Sequence, residues 1–205
     1  MQVPTDYSAL QPLHRIAVLH TIDVVAGASP DDLALPTPCD GWTLRDLLAH
    51  MTVQHHGFAA AARGFGGDPE NWDVSTVVDP LGTYADAARD AVDAFAAATG
   101  ETPFALPEFG PEVVVPGVMA IGFHLVDYVV HGWDVAASLG RSYEVPDDVA
   151  AAALAVALAV PDGEFRDAAE SPFARAVDGA SATDVDRVLR HLGRNPDRAL
   201  SRTRP

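Results

Sequence analysis

The amino-acid sequence predicts an all-α protein, a four-helix bundle with a short non-helical crossover and a small helical extension at its C-terminal end. Long segments carry apolar residues at helical spacing, and cap and stop signals bound those segments. Nearly half of the 205 residues are hydrophobic, enough to build a core without disulfide bonds. The single cysteine, Cys39, excludes an intramolecular disulfide and a multi-cysteine zinc site.

Three helices are predicted in the first half of the chain. Thr43 is the expected N-cap of the second helix, because Asp46 three residues later completes a variant capping box. Asp79 followed by Pro80 is a strong start signal for the third helix, since proline is favoured at the first helical position. The predicted helices cover residues 7–26, 43–63 and 80–100.

The second half of the chain is predicted to contain one irregular segment and three further helices. Residues 103–116 hold short apolar runs separated by Pro107 and Gly110, a pattern that indicates a small hairpin or an extended crossover. A fourth long helix runs from Gly117 to Leu139, and shorter helices follow over residues 147–160 and 183–192. We therefore expect a bundle over residues 1–142 and a helical extension, packed on it, over residues 143–205.

Charge and hydropathy narrow the classes of partner. The chain has 29 acidic and 13 basic residues and a formal charge of −16, which disfavours nucleic acid and anionic membranes. It shows neither a secretory signal nor an apolar stretch long enough to cross a bilayer. We expect a cytoplasmic protein that acts on a small molecule, and the Ala-rich segment at residues 150–159 leaves a homodimer open.

The fourth helix carries residues suited to holding a metal ion. Positions four apart on a helix lie about 40° apart around the axis and about 6 Å along it, so Asp127 and His131 share one face. Imidazole nitrogen and carboxylate oxygen together suit a borderline ion such as zinc. A third ligand must come from another helix, and His50 in the second helix is the natural candidate.

Other assignments of these residues stay open. His124, seven residues before His131, is an alternative ligand or a partner that orients one. Asp134 can orient a ligand histidine or a neighbouring arginine, and a solvated acid at the helix end is equally plausible. A histidine on an amphipathic helix is more often a surface or core residue, and Asp-x3-His pairs arise often by chance. Cys39 precedes a helix N-terminus, which would stabilise a thiolate, but a small buried residue in a loop is the favoured interpretation.

Three motifs resemble one protein family. They are the segment from Thr37 to His50, residues 127–136, and residues 186–196. In this order they resemble the DinB-like superfamily, in particular the mycothiol-dependent maleylpyruvate isomerase N-terminal type and its actinobacterial metal-binding subgroup. The resemblance spans nearly the whole chain and implies a metal triad of one histidine and a carboxylate-x3-histidine pair, at His50, Asp127 and His131.

The resemblance also limits what can be inferred. The isomerase has glutamate where this chain has Asp127, so the carboxylate arm is one methylene shorter here. It also carries a larger C-terminal domain that helps to form its active site, whereas the region after Gly140 is shorter and mainly helical. Activity on maleylpyruvate is therefore not expected to carry over.

The expected function is a metal-dependent enzyme that uses a low-molecular-weight thiol, with mycothiol as cosubstrate, on a small electrophile. It would act as a thiol S-transferase or a thiol-assisted isomerase with zinc, or with nickel, manganese or iron. Trp42, Gln54 and Phe58 are candidates to line the substrate pocket, although Trp42 is also expected as a packing anchor. The alternatives are a non-catalytic metal-binding module, in which His124 closes the coordination shell, and a recruited biosynthetic enzyme that uses metal-bound water.

Overall fold

A computed structural model describes residues 6–168 and 171–197. This part of the chain forms six α-helices and one two-stranded antiparallel hairpin, so the predicted all-α class is confirmed. The helices are α1 (Tyr7–Val25), α2 (Leu44–Ala62), α3 (Pro80–Ala97), α4 (Gly117–Ser138), α5 (Asp147–Ala157) and α6 (Asp184–His191), and the strands are β1 (Pro103–Ala105) and β2 (Val114–Pro116).

The predicted cap signals begin their helices as expected. Thr43 and Asp46 form the capping box of α2, in which the Thr43 N–H donates to the Asp46 carboxylate at 2.9 Å. Asp79 caps α3 by accepting from the Gly82 N–H. Such a cap contributes about 1 kcal/mol to stability. Helices α2 and α3 therefore start where the sequence indicates.

Two helices end earlier than predicted. Helix α3 stops at Ala97 instead of Gly100, because the Thr99 N–H bonds to the Thr102 hydroxyl and the chain leaves the helical path. Helix α5 stops at Ala157 instead of Val160, and the N–H groups of Ala159 and Val160 bond three positions back as tighter turns.

Contacts at the ends of the helices show the direction in which each helix runs. Arg141, just after α4, donates to the carbonyl of Gly27, just after α1, at 2.8 Å. At the opposite end, the hydroxyl of Tyr7 at the start of α1 donates to the carbonyl of Phe95 near the end of α3. Helices α1 and α4 therefore run parallel, and α3 runs in the opposite direction.

Helix α2 also runs antiparallel to α4. Along α2, His50 contacts His131 and His55 contacts His124, so rising numbers on one helix meet falling numbers on the other. Because α2 and α3 then share a direction, the segment 63–79 between them returns along the length of the bundle. That segment contains two short 3-10 turns, Pro69–Trp72 and Val74–Thr76.

The hairpin joins the end of α3 to the start of α4. Phe104 pairs with Val115 in the antiparallel ladder. Phe104 and Leu106 are fully buried in the main core cluster, which fixes the hairpin against the bundle. The short tip between the strands, Pro107–Phe109, projects from this anchored base.

The C-terminal region packs onto the bundle through α5, which contacts α4 and α1, and through α6, which contacts α5. Arg166 is buried and donates to several carbonyl oxygens, those of Val160, Pro161, Ala174 and His191. Residues 169–170 and 198–205 of the predicted extension lie outside the described residues. Among the described helices, none combines the length and hydropathy needed to span a membrane.

Candidate metal centre

The structure brings together the three residues selected from the sequence. His50 comes from α2, and Asp127 and His131 lie one turn apart on α4. One donor atom from each lies within 4.8 Å of the other two. His131 Nε2 is 3.3 Å from Asp127 Oδ1, and the rings of His50 and His131 are 5.3 Å apart and nearly perpendicular. Their ring nitrogens and carboxylate oxygen can therefore face one ion.

The cluster has a buried side and an accessible side. His131 is buried, whereas His50 is half-buried and the Asp127 side chain is 31% exposed. From residue 120 to residue 132 of α4, Phe123 and Asp127 are the partly accessible residues and the remainder is buried. A small molecule can therefore approach the cluster along the Phe123–Asp127 edge of α4.

Asp134 fixes the orientation of His131. Asp134 is fully buried, and its Oδ2 is 2.9 Å from His131 Nδ1, which leaves Nε2 facing Asp127. Arg194 also donates to this carboxylate at 3.1 Å. Of the roles open to Asp134 from its sequence position, the structure contains the contacts with both a histidine and an arginine, and full burial excludes a solvated acid at the helix end. A carboxylate behind a ligand histidine sets its tautomer and its ring orientation.

Cys39 adds a thiol that the sequence analysis did not select. Its Sγ lies 3.4 Å from Asp134 Oδ2 and 3.5 Å from an Arg194 nitrogen. Cys39, His131 and Asp134 form a second group of donors within 4.8 Å of one another. No local pattern indicates this contact, because 155 residues separate Cys39 from Arg194. Cys39 and Arg194 each lie in one of the three motifs that resemble the family, and this was the one sequence feature that could have linked them.

The charges around His131 favour a cation. Burial by itself lowers the pKa of His131, but the Asp127 charge and the Asp134 hydrogen bond raise it to about 10. Burial and the charge of His131 lower the pKa of His50 to about 4, against the opposite effect of Asp127. Because two carboxylates flank His131, the site stabilises positive charge, whether carried by a proton or by a metal ion.

His124 does not lie with these donors. Its Nδ1 is 2.9 Å from His14 Nε2, and its ring stacks on Tyr128 and contacts His55. Seven residues along a helix amount to about 10 Å, so His124 is two turns from His131. The structure therefore gives no support to His124 as an alternative ligand or as the residue that closes the coordination shell.

The three predicted pocket residues have different positions. The Trp42 ring lies 4.9 Å from the His50 ring, beside the cluster. Gln54, one turn after His50, is buried and donates to Glu108 on the hairpin tip. Phe58, by contrast, is a core residue that contacts Trp72, Phe95 and His124. The structure does not bring Phe58 to the cluster, because a further turn of α2 carries it into the centre of the bundle.

An open surface groove of about 540 Å³ lies elsewhere, between α2, α3 and the segment that joins them. Its lining includes His56, Arg63 and Asp90, and the last two form an exposed ion pair. The lining does not include His50, Asp127 or His131. The chemistry of the donor cluster, and not the size of this groove, therefore identifies the candidate site.

The fold and the cluster define a helical bundle in which side chains on facing helices could hold a metal ion. The chain belongs to the family described as mycothiol maleylpyruvate isomerase N-terminal domain, which it matches over residues 18–136. The predicted family is thereby confirmed. The matched segment includes His50, Asp127 and His131.

The chain is also similar to curated proteins. It is 32% identical over 160 residues to an uncharacterised protein of Mycobacterium tuberculosis strain CDC 1551 and to one of strain H37Rv. In both comparisons the aligned region covers 74% of this chain and 78% of the relative. No solved structure matches the chain.

Proposed function

We propose that this protein is a metal-dependent enzyme that joins a low-molecular-weight thiol, mycothiol, to a small electrophile. It acts as a thiol S-transferase or as an isomerase that adds and then removes the thiol. The observation that carries the proposal is the cluster of His50, Asp127 and His131, whose donor atoms lie within 4.8 Å of one another on an accessible edge of the bundle.

The donor set fits a divalent ion. Two imidazoles and one carboxylate are the ligands found in catalytic zinc sites, which keep one position open for water or substrate. Asp134 holds His131 through Nδ1, as a carboxylate behind a zinc-bound histidine does. Zinc is the proposed ion, and His50, Asp127 and His131 would hold it.

The chemistry that such an ion supplies is the deprotonation of a coordinating thiol at neutral pH. The side chains of the protein have separate tasks. Asp134 keeps the His131 ring in one orientation, and Asp127 supplies a negative charge next to both histidines. The Trp42 ring lies 4.9 Å from the His50 ring and would restrict the access of water to that histidine.

The family supports mycothiol as the thiol, since its description names this compound. The electrophile must be small enough to reach the Asp127 edge of α4 between the hairpin and α2.

Two variants on the same helix test this proposal. His50→Ala removes a metal donor, and His56→Ala removes an exposed histidine six residues away on α2. The purified proteins are analysed for bound metal and then assayed for mycothiol consumption with a panel of electrophiles. Wild type and His56→Ala should retain about one zinc per chain and show zinc-dependent turnover, whereas His50→Ala should lose both.

Two results would contradict the proposal. Wild type could retain zinc and consume no mycothiol with any electrophile, which would leave a metal-binding module without this activity. Alternatively, His50→Ala could bind zinc as wild type does, which would remove the assigned site.

A further inference from the structure

The tip of the hairpin carries a carboxylate that neither the triad nor the family match accounts for. Glu108 lies between the strands, and the residue as a whole is exposed. Its carboxylate nevertheless turns inward, where Oε2 accepts a hydrogen bond of 2.7 Å from the side-chain amide of Gln54. Gln54 is only 8% exposed, so the carboxylate reaches a buried partner from an exposed loop.

Two contacts hold the hairpin tip next to the metal centre. On α2, Gln54 lies one turn after His50, and on α4, Phe123 lies one turn before Asp127. The ring of Phe109 packs against Phe123 at 5.6 Å, while Gln54 binds Glu108. Because α2 and α4 are antiparallel, both contacts lie on the same side of the triad. Gln54, which holds the carboxylate, is therefore about one helical turn, about 5.4 Å along α2, from His50.

The surroundings of Glu108 suit proton transfer near neutral pH. Burial of the carboxyl group raises the pKa of Glu108 to about 7, while the Gln54 hydrogen bond lowers it and the Asp127 charge raises it. Tyr128 is the titratable group of α4 that interacts with Glu108, and burial, followed by the charges of Tyr84, Asp127 and Glu108, raises the pKa of Tyr128. A divalent ion at the triad would act against the Asp127 charge and favour the ionised carboxylate. A proton acceptor works best when its pKa is close to the working pH.

We infer that Glu108 is the proton-transferring residue of this site, taking the proton of the incoming thiol and returning it to the product. The inference rests on the proposed function. The S–H bond breaks and its proton passes to Glu108 Oε, while the sulfur electron pair forms the new S–C bond. The electron pair displaced from the electrophile, on carbon or on a leaving atom, then takes the proton from the Glu108 carboxyl group. No oxidant or reductant is needed.

The chain offers a matched control. Glu108→Gln keeps the size of the side chain and can still bond to Gln54, but it cannot accept a proton. Glu112→Gln makes the same change at an exposed position of the same hairpin. Gln54→Met keeps the volume of the buried side chain and removes the donor that holds Glu108.

The number of protons released when mycothiol binds distinguishes these variants without a measurement of turnover. Mycothiol is titrated calorimetrically into the zinc-loaded full-length chain at pH 7, in two buffers with different ionisation enthalpies. Wild type and Glu112→Gln should keep much of the thiol proton, whereas Glu108→Gln should release at least about half a proton more to the buffer. Gln54→Met should shift in the same direction. Turnover of Glu108→Gln should fall at least about 100-fold.

The outcomes distinguish this inference from the proposed function. Equal proton release by wild type, Glu108→Gln and Glu112→Gln, with mycothiol bound by all three, would overturn the role of Glu108 and leave the metal-dependent thiol chemistry intact. Failure of mycothiol to bind zinc-loaded wild type would overturn both.

Discussion

Helix α4 contributes one histidine to each of two clusters, and the surroundings raise the pKa of one histidine and lower that of the other. Near its C-terminal end, His131 joins His50, Asp127 and Asp134. Two turns earlier, His124 joins His14 of α1 and His55 of α2 in the centre of the bundle. We call the first group the donor cluster and the second the core histidine cluster.

The core histidine cluster has no carboxylate among its described contacts. His14, His55 and His124 are at most 1% exposed, and both ring nitrogens of His55 and the Nε2 of His124 have no hydrogen-bond partner in the described structure. Burial lowers the pKa of His14 to about 3 and holds the pKa values of His55 and His124 well below the usual value. These imidazoles are neutral and pack as aromatic rings, with His55 stacked on Tyr128 at 4.0 Å.

The difference shows that carboxylates, more than histidine itself, create the candidate metal centre. His131 and His124 are both buried on the same helix, yet acids raise the pKa of the first and burial lowers the pKa of the second. Burying a divalent cation among neutral groups is costly, whereas a flanking carboxylate offsets that cost. Only the donor cluster therefore meets the requirements of a cation site among the described histidines.

The largest expected effect is stabilisation by zinc through the donor cluster alone. At a free zinc concentration about a thousandfold above Kd, binding should stabilise the wild-type fold by about 4 kcal/mol. His131→Ala should abolish this stabilisation, and His55→Leu should retain it. Urea unfolding with and without zinc measures both. Loss of the zinc effect in His55→Leu alone would reverse the assignment of the two clusters.

Asp134→Asn should weaken zinc binding and the fold together. The change removes the charge that orients His131 and leaves Arg194 buried without its counter-ion. Loss of a carboxylate behind a ligand typically costs roughly 10–100-fold in metal affinity, and breaking a buried pair costs about 3 kcal/mol. Arg194→Met, which removes the other partner, should reduce stability with a smaller effect on zinc affinity. Identical zinc affinity in wild type and Asp134→Asn would show that His131 needs no orienting group.

Acid should destabilise the protein through the core histidine cluster. Burial lowers the folded-state pKa of His14 to about 3, below the ordinary histidine value of 6.5, so the unfolded chain binds more protons between these two pH values. The contribution of His14 to the free energy of unfolding is therefore complete above pH 6.5 and is lost as the pH drops toward 3. At pH 5 the loss is about 2 kcal/mol for each histidine held neutral.

Urea unfolding of the metal-free protein at pH 7 and pH 5 measures this slope. His55→Leu should flatten it by removing one titrating group and two unpartnered nitrogens. His56→Gln, at an exposed position on the same helix, should leave it unchanged. A slope in His55→Leu as steep as in wild type would mean that acid acts elsewhere in the molecule.

The smallest effect on stability should come from removing the N-cap of α2, the helix that contributes a histidine to both clusters. Helix α2 carries His50 of the donor cluster and His55 of the core histidine cluster, and Thr43 caps its start. Thr43→Ala should lower the free energy of unfolding by about 1 kcal/mol. Zinc affinity, measured with a competing chelator, should stay within about twofold, because the cap lies two turns from His50. A large loss of affinity would instead make the start of α2 part of the site.

Local sequence rules explain why much of the fold was predictable. Capping at Thr43 and Asp79, and the hairpin over residues 103–116, depend on contacts within a few residues. The pairing of Asp127 with His131 likewise follows from helical spacing, and Asp134 lies three positions beyond His131. His50 was the natural candidate for a third ligand on another helix, and the family resemblance supported that choice, since nothing local links the two helices.

The remaining features depend on which elements meet, and the sequence alone did not reveal them. His14 and His124 are 110 residues apart, and Gln54 and Glu108 are 54 apart. The same holds for Phe58, whose apolar ring suits a pocket or a core equally well. Its position was decided by Phe95 and His124, which come from two other helices.

What the sequence by itself determined, then, was the helical class, the places where its helices start, and one face of α4 that carries a carboxylate and a histidine. Hydrogen bonds, caps and side-chain spacing within a few turns are sufficient for these. The tertiary structure alone decided which histidines meet acids and which meet aromatic rings, and that the hairpin tip brings Glu108 to Gln54. Those contacts depend on the direction and packing of helices distant in the chain, and burial and charge at each meeting point then set the chemistry of otherwise identical side chains.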